Sequence, residues 1–255
     1  MHLILTGATG LVGSAVLDTM LKTKEITKIS ILSRREVPMA TAAADPRVNI
    51  INHTDFSNYA DSNLLPQLQG ATGCVWALGI SQNSVTADEY VKITKDYALK
   101  AAEAFVQLGT PETPFRFVYV SGEGAAHKPG MFTQLFGRVK GETEMALGDL
   151  SEKSGGKLRA DSVRPGAVDA QGHEAIAPFL QKREWWYSPT IAVMRPGLKM
   201  LAKSFHSPTL EMGTFMTRMA MGQVDGRLEG SGAFRYGPSW VVPNAAIRKM
   251  MQTPF

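Results

Sequence analysis

Short apolar runs alternate with amphipathic, helix-like stretches through the first two-thirds of the chain. The apolar runs predict strands at Leu3–Thr6, Lys28–Leu32, Val48–Ile51, Cys74–Leu78, Phe115–Val120 and Leu158–Val163. The clearest helical periodicities between them predict helices at Leu11–Lys22, Asp88–Leu108 and Phe132–Leu147. This alternation is typical of an α/β protein with a doubly wound parallel sheet, in which ligands bind beyond the carboxyl ends of the strands.

The regular alternation ends near Gly172, and prolines interrupt the chain from there to a predicted closing helix at Asn244–Gln252. We therefore expect residues 1–170 to form the ligand-binding core. We expect residues 171–255 to form a small substrate-side subdomain packed on the same domain. Trp185 and Trp186 in this tail are suited to an apolar pocket or a dimer contact, and equally to plain burial in the core.

The first strand ends in a glycine-spaced turn, Gly7-Ala8-Thr9-Gly10-Leu11-Val12-Gly13, which leads straight into the first predicted helix. Gly7 permits a tight turn, Gly10 lets backbone approach phosphate oxygens, and Gly13 lets the helix pack close to the strand. The free N–H groups and the dipole of that helix start attract negative charge, so the turn predicts a Rossmann-type dinucleotide site. The residues expected to bind the cofactor here are Thr6, Gly7, Thr9, Gly10, Leu11, Val12 and Gly13.

The ends of the following strands supply the rest of the expected cofactor site. Ser33-Arg34-Arg35 follows the second strand, and an Arg there suits the 2′-phosphate of NADP, where NAD sites place an acid. We therefore expect NADP(H) rather than NAD(H), with a solvated basic turn as the alternative. Asp55 is suited either to the adenine amino group or to a turn. The remaining residues expected to contact the cofactor are Phe56, Ala77, Leu78, Gly79, Pro165, Gly166 and Val168.

Composition narrows the class of protein further. The 255 residues carry a net charge of +4 and no dense run of Lys and Arg, so nucleic acid is not an expected partner. No apolar stretch approaches the roughly 18 residues of a membrane span, so we expect no integral membrane segment and a cytoplasmic location. Cys74 is the single cysteine, which excludes an internal disulfide, and no Cys/His spacing predicts a metal site.

These segments together resemble the short-chain dehydrogenase/reductase superfamily, in particular its extended and atypical branches, which include the Tat-interacting oxidoreductase-like proteins and their fungal relatives. The resemblance is carried by the glycine turn, Ser33-Arg34-Arg35, Ala77-Leu78-Gly79, Asp96–Glu103, Val118–Ser121 with Gly124-Ala125, Val139–Glu144 and Arg164-Pro165-Gly166. It implies a Rossmann fold, a nicotinamide cofactor and a small-molecule substrate. In reductases of this family, a Ser or Thr after the fifth strand binds the substrate carbonyl. A Tyr acts as the acid, and a Lys four residues later binds ribose and lowers the pKa of that Tyr.

The catalytic positions match this pattern only in part. Lys140 fits the Lys, but the residue four positions earlier is Phe136, which has no hydroxyl with which to donate a proton. Ser121 fits the first of two serines found in relatives, and Gly122 stands where the second would act. The sequence therefore predicts an active site with a reduced carbonyl-activating apparatus.

Few residues are candidates to replace the missing tyrosine. Glu123 and His127 follow on the same loop, where either one could serve as a substitute acid or both could be solvated loop residues. His173 suits either a base or a hydrogen-bonded loop histidine, and Tyr187 lies beyond the sixth strand. The candidate catalytic residues are Lys140, which is also expected at the cofactor, and Ser121, Glu123 and His127.

Three hypotheses follow for the function. The first is an NADP(H)-dependent oxidoreductase with a non-standard active site, acting on a small apolar organic substrate. The second is a non-redox isomerase, cyclase or dehydratase on the same fold. The third is a non-catalytic NADP(H)-binding regulatory protein. The apolar faces of Asp88–Leu108 and Phe132–Leu147 are compatible with a homodimer.

Overall fold

The computed structural model describes residues 1–59, 63–180 and 205–253, and a mostly parallel sheet forms the centre of these ranges. The strands are β1 (His2–Thr6), β2 (Lys28–Ser33), β3 (Val48–Asn52), β4 (Ala71–Trp76), β5 (Phe115–Val120), β6 (Leu158–Arg164), β7 (Ala167–Asp169), β8 (His206–Pro208), β9 (Phe234–Tyr236) and β10 (Ser239–Pro243). In the described ranges, eight strands form one sheet in the order β3-β2-β1-β4-β5-β6-β10-β9, and β7 pairs with β8. Only the edge pair β10–β9 of that sheet is antiparallel. The predicted α/β fold with a doubly wound parallel sheet is confirmed.

Helices cover both faces of the sheet. They are α1 (Leu11–Lys22), α2 (Pro38–Ala43), α3 (Leu64–Gln67), α4 (Ala87–Val91), α5 (Tyr97–Phe105), α6 (Leu135–Lys153), α7 (Thr209–Ala220), α8 (Asp225–Leu228) and α9 (Asn244–Met251). A π-helical turn at Lys92–Asp96 joins α4 to α5, and a 3-10 turn at Val106–Leu108 follows, so the helix predicted at Asp88–Leu108 is one continuous run. No helix within the described residues is long and apolar enough to cross a membrane.

The strand predicted at Cys74–Leu78 is displaced along the chain. The structure has this strand, β4, at Ala71–Trp76. The chain leaves the sheet after Trp76, and the carbonyl of Ala77 lies directly against Gly7 at the end of β1. Residues that look like the end of a strand therefore form the loop that faces the glycine turn.

The helix predicted at Phe132–Leu147 is displaced in the opposite direction, toward the C-terminus. It is observed as α6, at Leu135–Lys153. A turn precedes it, in which the N–H of Gly130 donates to the hydroxyl of Thr133 at 2.8 Å. This local bond holds residues that periodicity alone assigns to the helix.

Alternate residues of the strands enter two hydrophobic cores, one on each face of the sheet. Leu3 and Leu5 of β1 belong to the core that includes Met216 of α7. Ile4, between them, belongs to the core that includes Phe105 of α5. This alternation is the two-residue period of a strand whose two faces are both buried.

The C-terminal tail completes the sheet and one of the cores. Strand β10 pairs in parallel with β6, so that Val242 lies opposite Val163. Helix α7 packs along α1, where Gly213 lies against the carbonyl of Ala15. The described part of the tail is therefore integral to the core. The substrate-side role of residues 171–255 stays a prediction, and Trp185, Trp186 and Tyr187 lie outside the described residues.

His173 is buried where the tail meets α1. Its Nε2 lies 3.0 Å from the carboxylate of Asp18 in α1, and its Nδ1 lies 3.0 Å from the hydroxyl of Thr209 at the start of α7. Both ring nitrogens are engaged, so the structure favours the hydrogen-bonded loop histidine over a catalytic base.

Candidate functional site

A cavity of about 770 Å³ opens at the carboxyl ends of β1, β2 and β4. This is the edge of a parallel sheet at which α/β proteins bind their ligands, and the volume is in the range of small-molecule sites. The residues that line it are Gly7, Thr9, Gly10, Leu11, Leu32, Ser33, Arg34, Arg35, Phe56, Ala77, Leu78, Gly79, Ile80, Ser81, Ser84 and Leu180.

The glycine turn forms one wall of the cavity, and its backbone is too close to its neighbours for side chains. Gly7 has a φ of +68°, and a Cβ added there would collide with the carbonyl oxygen of Ala77. A Cβ on Gly13 would collide with the carbonyl oxygen of Gly7. These contacts hold the start of α1 against the loop that follows β4.

The start of α1 is suited to a bound anion. Gly10 is its N-cap, so no side chain caps the helix, and the first turn contains no acidic residue. The unbonded N–H groups of that turn and the helix dipole both favour negative charge beside Gly10, which lines the cavity. The residues present therefore fit the diphosphate of a dinucleotide. Thr6, Val12 and Gly13 support this turn without lining the cavity.

Two arginines stand at the edge of the cavity beside the glycine turn. The guanidinium of Arg35 donates to the hydroxyl of Thr9, with Nη2 at 2.8 Å and Nε at 3.2 Å. The hydroxyl of Ser33 donates to the carbonyl oxygen of Arg35 at 2.7 Å, which shapes the turn between them. Arg34 is exposed and lines the same cavity. The structure thus brings the predicted Ser33-Arg34-Arg35 segment next to the predicted glycine turn.

Asp55 and Phe56 behave differently from each other. The buried side chain of Phe56 packs edge-on against Trp76, and Phe56 lines the cavity. The carboxylate of Asp55 instead accepts from the N–H of Ser57 at 2.9 Å and from its hydroxyl, and these bonds lower the pKa of Asp55. Asp55 does not line the cavity, so its side chain closes a local turn, as the second of our two interpretations requires.

The loop after β6 is bound to the C-terminal tail. The N–H of Gly166 donates to the hydroxyl of Ser207 at 2.8 Å, and Ser207 donates to the side-chain oxygen of Asn244 at 2.7 Å. Val168 pairs with Ser207 between β7 and β8. Pro165, Gly166 and Val168 do not line the cavity, so their predicted contact with a nicotinamide stays a prediction.

Glu123 takes part in the same network. Its carboxylate accepts from the backbone N–H of Asn244, the first residue of α9, at 2.7 Å. The N–H of Glu123 donates to the carbonyl oxygen of Pro165 at 2.8 Å. A carboxylate at a helix start is a stabilising arrangement, so this contact is structural, and the role of Glu123 as a substitute acid stays a prediction.

Lys140 reaches the end of β5 from α6. Its Nζ donates to the backbone carbonyl oxygens of Val120 at 2.9 Å and Ser121 at 3.0 Å. Burial lowers the pKa of Lys140 to about 8, against the opposing attraction of Glu144. Lys140 does not line the cavity, and neither does Ser121, which is buried. The ammonium group therefore holds α6 to the strand that precedes the predicted catalytic loop.

We expect Lys140 to make stability depend on pH above neutrality. Its pKa falls from 10.5 to about 8 on folding, so folding releases a proton between these values. The contribution of Lys140 to the free energy of unfolding should rise with pH across that interval, by up to about 1.4 kcal/mol per pH unit. In urea unfolding, the free energy of unfolding of the wild type should therefore rise with pH relative to that of Lys140→Met. Relative to Lys153→Met, in which an exposed side chain is replaced, it should not rise in this way. Parallel curves for wild type and Lys140→Met would contradict this linkage.

His127 belongs to a buried charge cluster that the sequence reasoning missed. The carboxylate of Glu144, which is fully buried, accepts from Arg164 Nε at 2.8 Å and lies 2.6 Å from His127 Nε2. Burial raises the pKa of Glu144, but the bonds from Arg164 and His127 outweigh it, so the net shift is downward. Glu144 follows Lys140 by four residues and thus lies on the same face of α6, a signal that could have indicated it. Among the described residues, no group of three or more His, Cys, Asp and Glu side chains is placed to hold a metal ion.

Comparison with known proteins identifies the family. The leucinostatins biosynthesis cluster protein T of Purpureocillium lilacinum is 34% identical, over 89% of this chain and 87% of that protein. A short-chain dehydrogenase family protein from Francisella tularensis has the same fold, with a TM-score of 0.63 at 13% identity, over 95% of this chain and 96% of that one. The chain belongs to the short-chain dehydrogenase/reductase superfamily. No protein-family model matches it.

Two further relatives come from fungi. The botcinic acid biosynthesis cluster B protein 16 of Botryotinia fuckeliana is 42% identical over 155 residues, which are 60% of this chain and 98% of that protein. The mitochondrial protein fmp52 of Emericella nidulans is 29% identical over 68% of this chain and 70% of that protein. The family prediction made from the sequence is confirmed.

The two residues that the sequence analysis matched to the family's tyrosine and second serine lie close together. The ring of Phe136, at the tyrosine position, lies so close to Gly122, at the serine position, that a Cβ added there would be 3.2 Å from it. A Cβ on Gly124 would be 3.3 Å from the same ring. An apolar ring therefore lies beside both glycines, and neither Phe136 nor Gly122 carries a hydroxyl. The backbone N–H of Phe136 donates to the side chain of Gln82 at 2.8 Å, a partner that the sequence reasoning did not identify.

Proposed function

We propose that this protein is an NADP(H)-binding enzyme of the short-chain dehydrogenase/reductase superfamily that acts on a small apolar organic molecule. The cavity carries the proposal, because an uncapped helix start, the glycine turn and two arginines line one space. The diphosphate of the cofactor would lie at Gly10 and the 2′-phosphate at Arg34 and Arg35. Both contacts use groups that prefer phosphate oxygens.

Two relatives support a role in small-molecule synthesis. Both are named for biosynthesis clusters, of leucinostatins and of botcinic acid. An enzyme of such a cluster acts on an organic intermediate, which agrees with the apolar substrate that we propose. The mitochondrial naming of fmp52 makes the cytoplasmic location an expectation to be tested by cell fractionation. The homodimer likewise stays a prediction.

A second candidate function is a non-redox reaction on the same fold. The contact between Phe136 and Gly122 favours it, because isomerisation, cyclisation and dehydration need positioning and one acid or base rather than a carbonyl-activating hydroxyl pair. An oxidoreductase would consume NADPH in proportion to product. A non-redox enzyme would turn over with no net change in the absorbance of reduced nicotinamide, and a regulatory protein would bind the cofactor without turnover.

Calorimetric titration with NADPH, NADP⁺, NADH and NAD⁺ tests the cofactor proposal. We expect the phosphorylated pair to bind more tightly. We expect Arg34→Ala and Arg35→Ala each to weaken NADPH binding by about 10- to 100-fold, the value of a hydrogen bond to a charged group, with little effect on NADH. Lys24→Ala removes one exposed charge at the opposite edge of the sheet and should change neither affinity. Equal binding of NADPH and NADH by the wild type would reject the arginine assignment.

A further inference from the structure

The side chain of Gln82 touches the helical turn that lacks the tyrosine. Its oxygen accepts from the backbone N–H of Phe136 at 2.8 Å. A backbone N–H can only donate, so this bond fixes which end of the carboxamide faces α6. The Nε2 group, with its two protons, must point elsewhere, and it donates no hydrogen bond to any residue in the part of the chain that the structure describes.

Gln82 also lies beside the cofactor cavity. It begins the 3-10 turn Gln82–Ser84 that follows β4, and its neighbours Ser81 and Ser84 both line the cavity. The side chain is half-buried, and the hydroxyl of Ser81 accepts from the N–H of Asn83 and so holds the turn. Gln82 does not itself line the cavity, but its position between Ser81 and Ser84 places its two N–H donors next to residues that do.

We infer that Gln82 Nε2 binds the carbonyl oxygen of the substrate, and that the substrate is a conjugated carbonyl compound such as an enone. The inference rests on the proposed function, and it adds a substrate class to the oxidoreductase alternative. Asn and Gln side chains are established as donors to developing oxyanions, and their geometry is effective when the group is fixed in advance. The bond to Phe136 provides that fixing.

The chemistry of a carboxamide selects the substrate class. A carboxamide donates a hydrogen bond but does not give up a proton near neutral pH, so it stabilises an oxyanion without protonating it. Reduction of a saturated ketone produces a localised alkoxide, a strong base that forms readily only with an acid beside it. Reduction of an enone at its β carbon produces an enolate, whose charge is delocalised and which is a much weaker base. The absence of a hydroxyl at Phe136 and Gly122 is therefore compatible with an enone and unfavourable for a simple ketone.

The atoms and electrons of this step balance. NADPH, when bound, would supply a hydride to the β carbon and become NADP⁺. The π electrons of the C=C bond would then form a double bond between the α carbon and the carbonyl carbon, and the π electrons of the C=O bond would move to the oxygen. The N–H of Gln82 donates to that oxygen throughout and keeps its proton. Water would then protonate the α carbon and leave as hydroxide, and the product would be the saturated ketone.

Nuclear magnetic resonance of the full-length protein tests the contact without turnover. The protein is labelled with ¹⁵N in glutamine side chains, saturated with NADP⁺, and titrated with 2-cyclohexenone, which that complex cannot reduce. Gln82→Glu, which keeps an acceptor for the N–H of Phe136 but has no amide protons, identifies the Gln82 signals. We expect one of the two Gln82 amide protons to move downfield and to saturate. If those signals stay in place while NADP⁺ binds, the inference is overturned.

Kinetics with NADPH give the second readout. We expect the wild type to reduce 2-cyclohexenone in preference to cyclohexanone, and Gln82→Glu to lower kcat/KM for the enone by about 100-fold with the Kd for NADPH unchanged. Asn83→Asp places the same added charge one residue away, on an exposed residue, and should behave like the wild type. Equal activity of Gln82→Glu and wild type would also overturn the inference. Failure of NADP⁺ to bind would instead reject the proposed function itself.

Discussion

Replacing Gly13 with alanine should weaken NADPH binding by about 100-fold, because the start of α1 must then move away from the glycine turn. A Cβ at Gly13 would collide with the carbonyl oxygen of Gly7 and lie 2.5 Å from its carbonyl carbon. Both are backbone atoms, so neither can rotate away as a side chain would. A displacement of about 1 Å at a binding site costs on the order of 100-fold. Overpacking should also lower the free energy of unfolding by about 1–3 kcal/mol.

Gly226→Ala provides the matched control for this substitution. Gly226 lies in α8, has no atom within 4 Å of an added Cβ, and has an ordinary φ. Its replacement should leave NADPH affinity unchanged and leave stability equal or slightly higher. Calorimetric titration of both variants, together with urea unfolding, separates lost binding from lost folding. Wild-type affinity in a folded Gly13→Ala variant would mean that the start of α1 does not hold the phosphates.

Replacing Glu144 with alanine should lower the free energy of unfolding by about 3–5 kcal/mol, because it leaves a buried cation without its partner. The side chain of Glu144 is 0% exposed and that of Arg164, its partner, is 12% exposed. His127 would lose its carboxylate partner at the same time. Removal of one member of a buried pair leaves an uncompensated charge in a poorly solvated place. Urea unfolding at neutral pH measures this loss.

Glu142→Ala is the control, since Glu142 lies two residues earlier on the same helix. Its ion pair with Lys95 is partly exposed, at 38% and 28% for the two side chains, and such pairs contribute about 1 kcal/mol or less. The pKa of Glu144 is lower when folded, so its stabilising contribution is complete above its unfolded pKa and is lost as the pH falls through the folded value. The difference between wild type and Glu144→Ala should therefore shrink in acid. An equal effect of the two substitutions would show that burial of the cluster does not matter.

Local patterns were sufficient to predict the bounds of several elements. The bounds predicted for the first helix, Leu11–Lys22, agree with those observed for α1, and the strand predicted at Phe115–Val120 agrees with β5. Both are set by hydrophobic periodicity and by adjacent glycines and prolines, which act over a few residues. Local patterns did not predict the bounds of β4 and α6, because contacts outside each element determined where it begins or ends.

The residues around the catalytic region could not be assigned in the same way. Glu123 binds the N–H of Asn244, 121 residues away, and Gln82 binds the N–H of Phe136, 54 residues away. No periodicity reports such pairs, because they depend on which strand ends meet at one edge of the sheet. The absence of a tyrosine hydroxyl at Phe136 was readable from the sequence; the side chain placed beside it was not.

The sequence by itself determined the fold class, the glycine turn and its neighbouring arginines, since these follow from short-range steric and hydrophobic rules. Only the tertiary structure decided that β10 joins β6, that His127 pairs with Glu144, and that the carboxamide oxygen of Gln82 binds the N–H of Phe136 in α6. These arrangements arise when distant segments compete to bury apolar surface and to satisfy their polar groups, and that competition is resolved only in the folded chain.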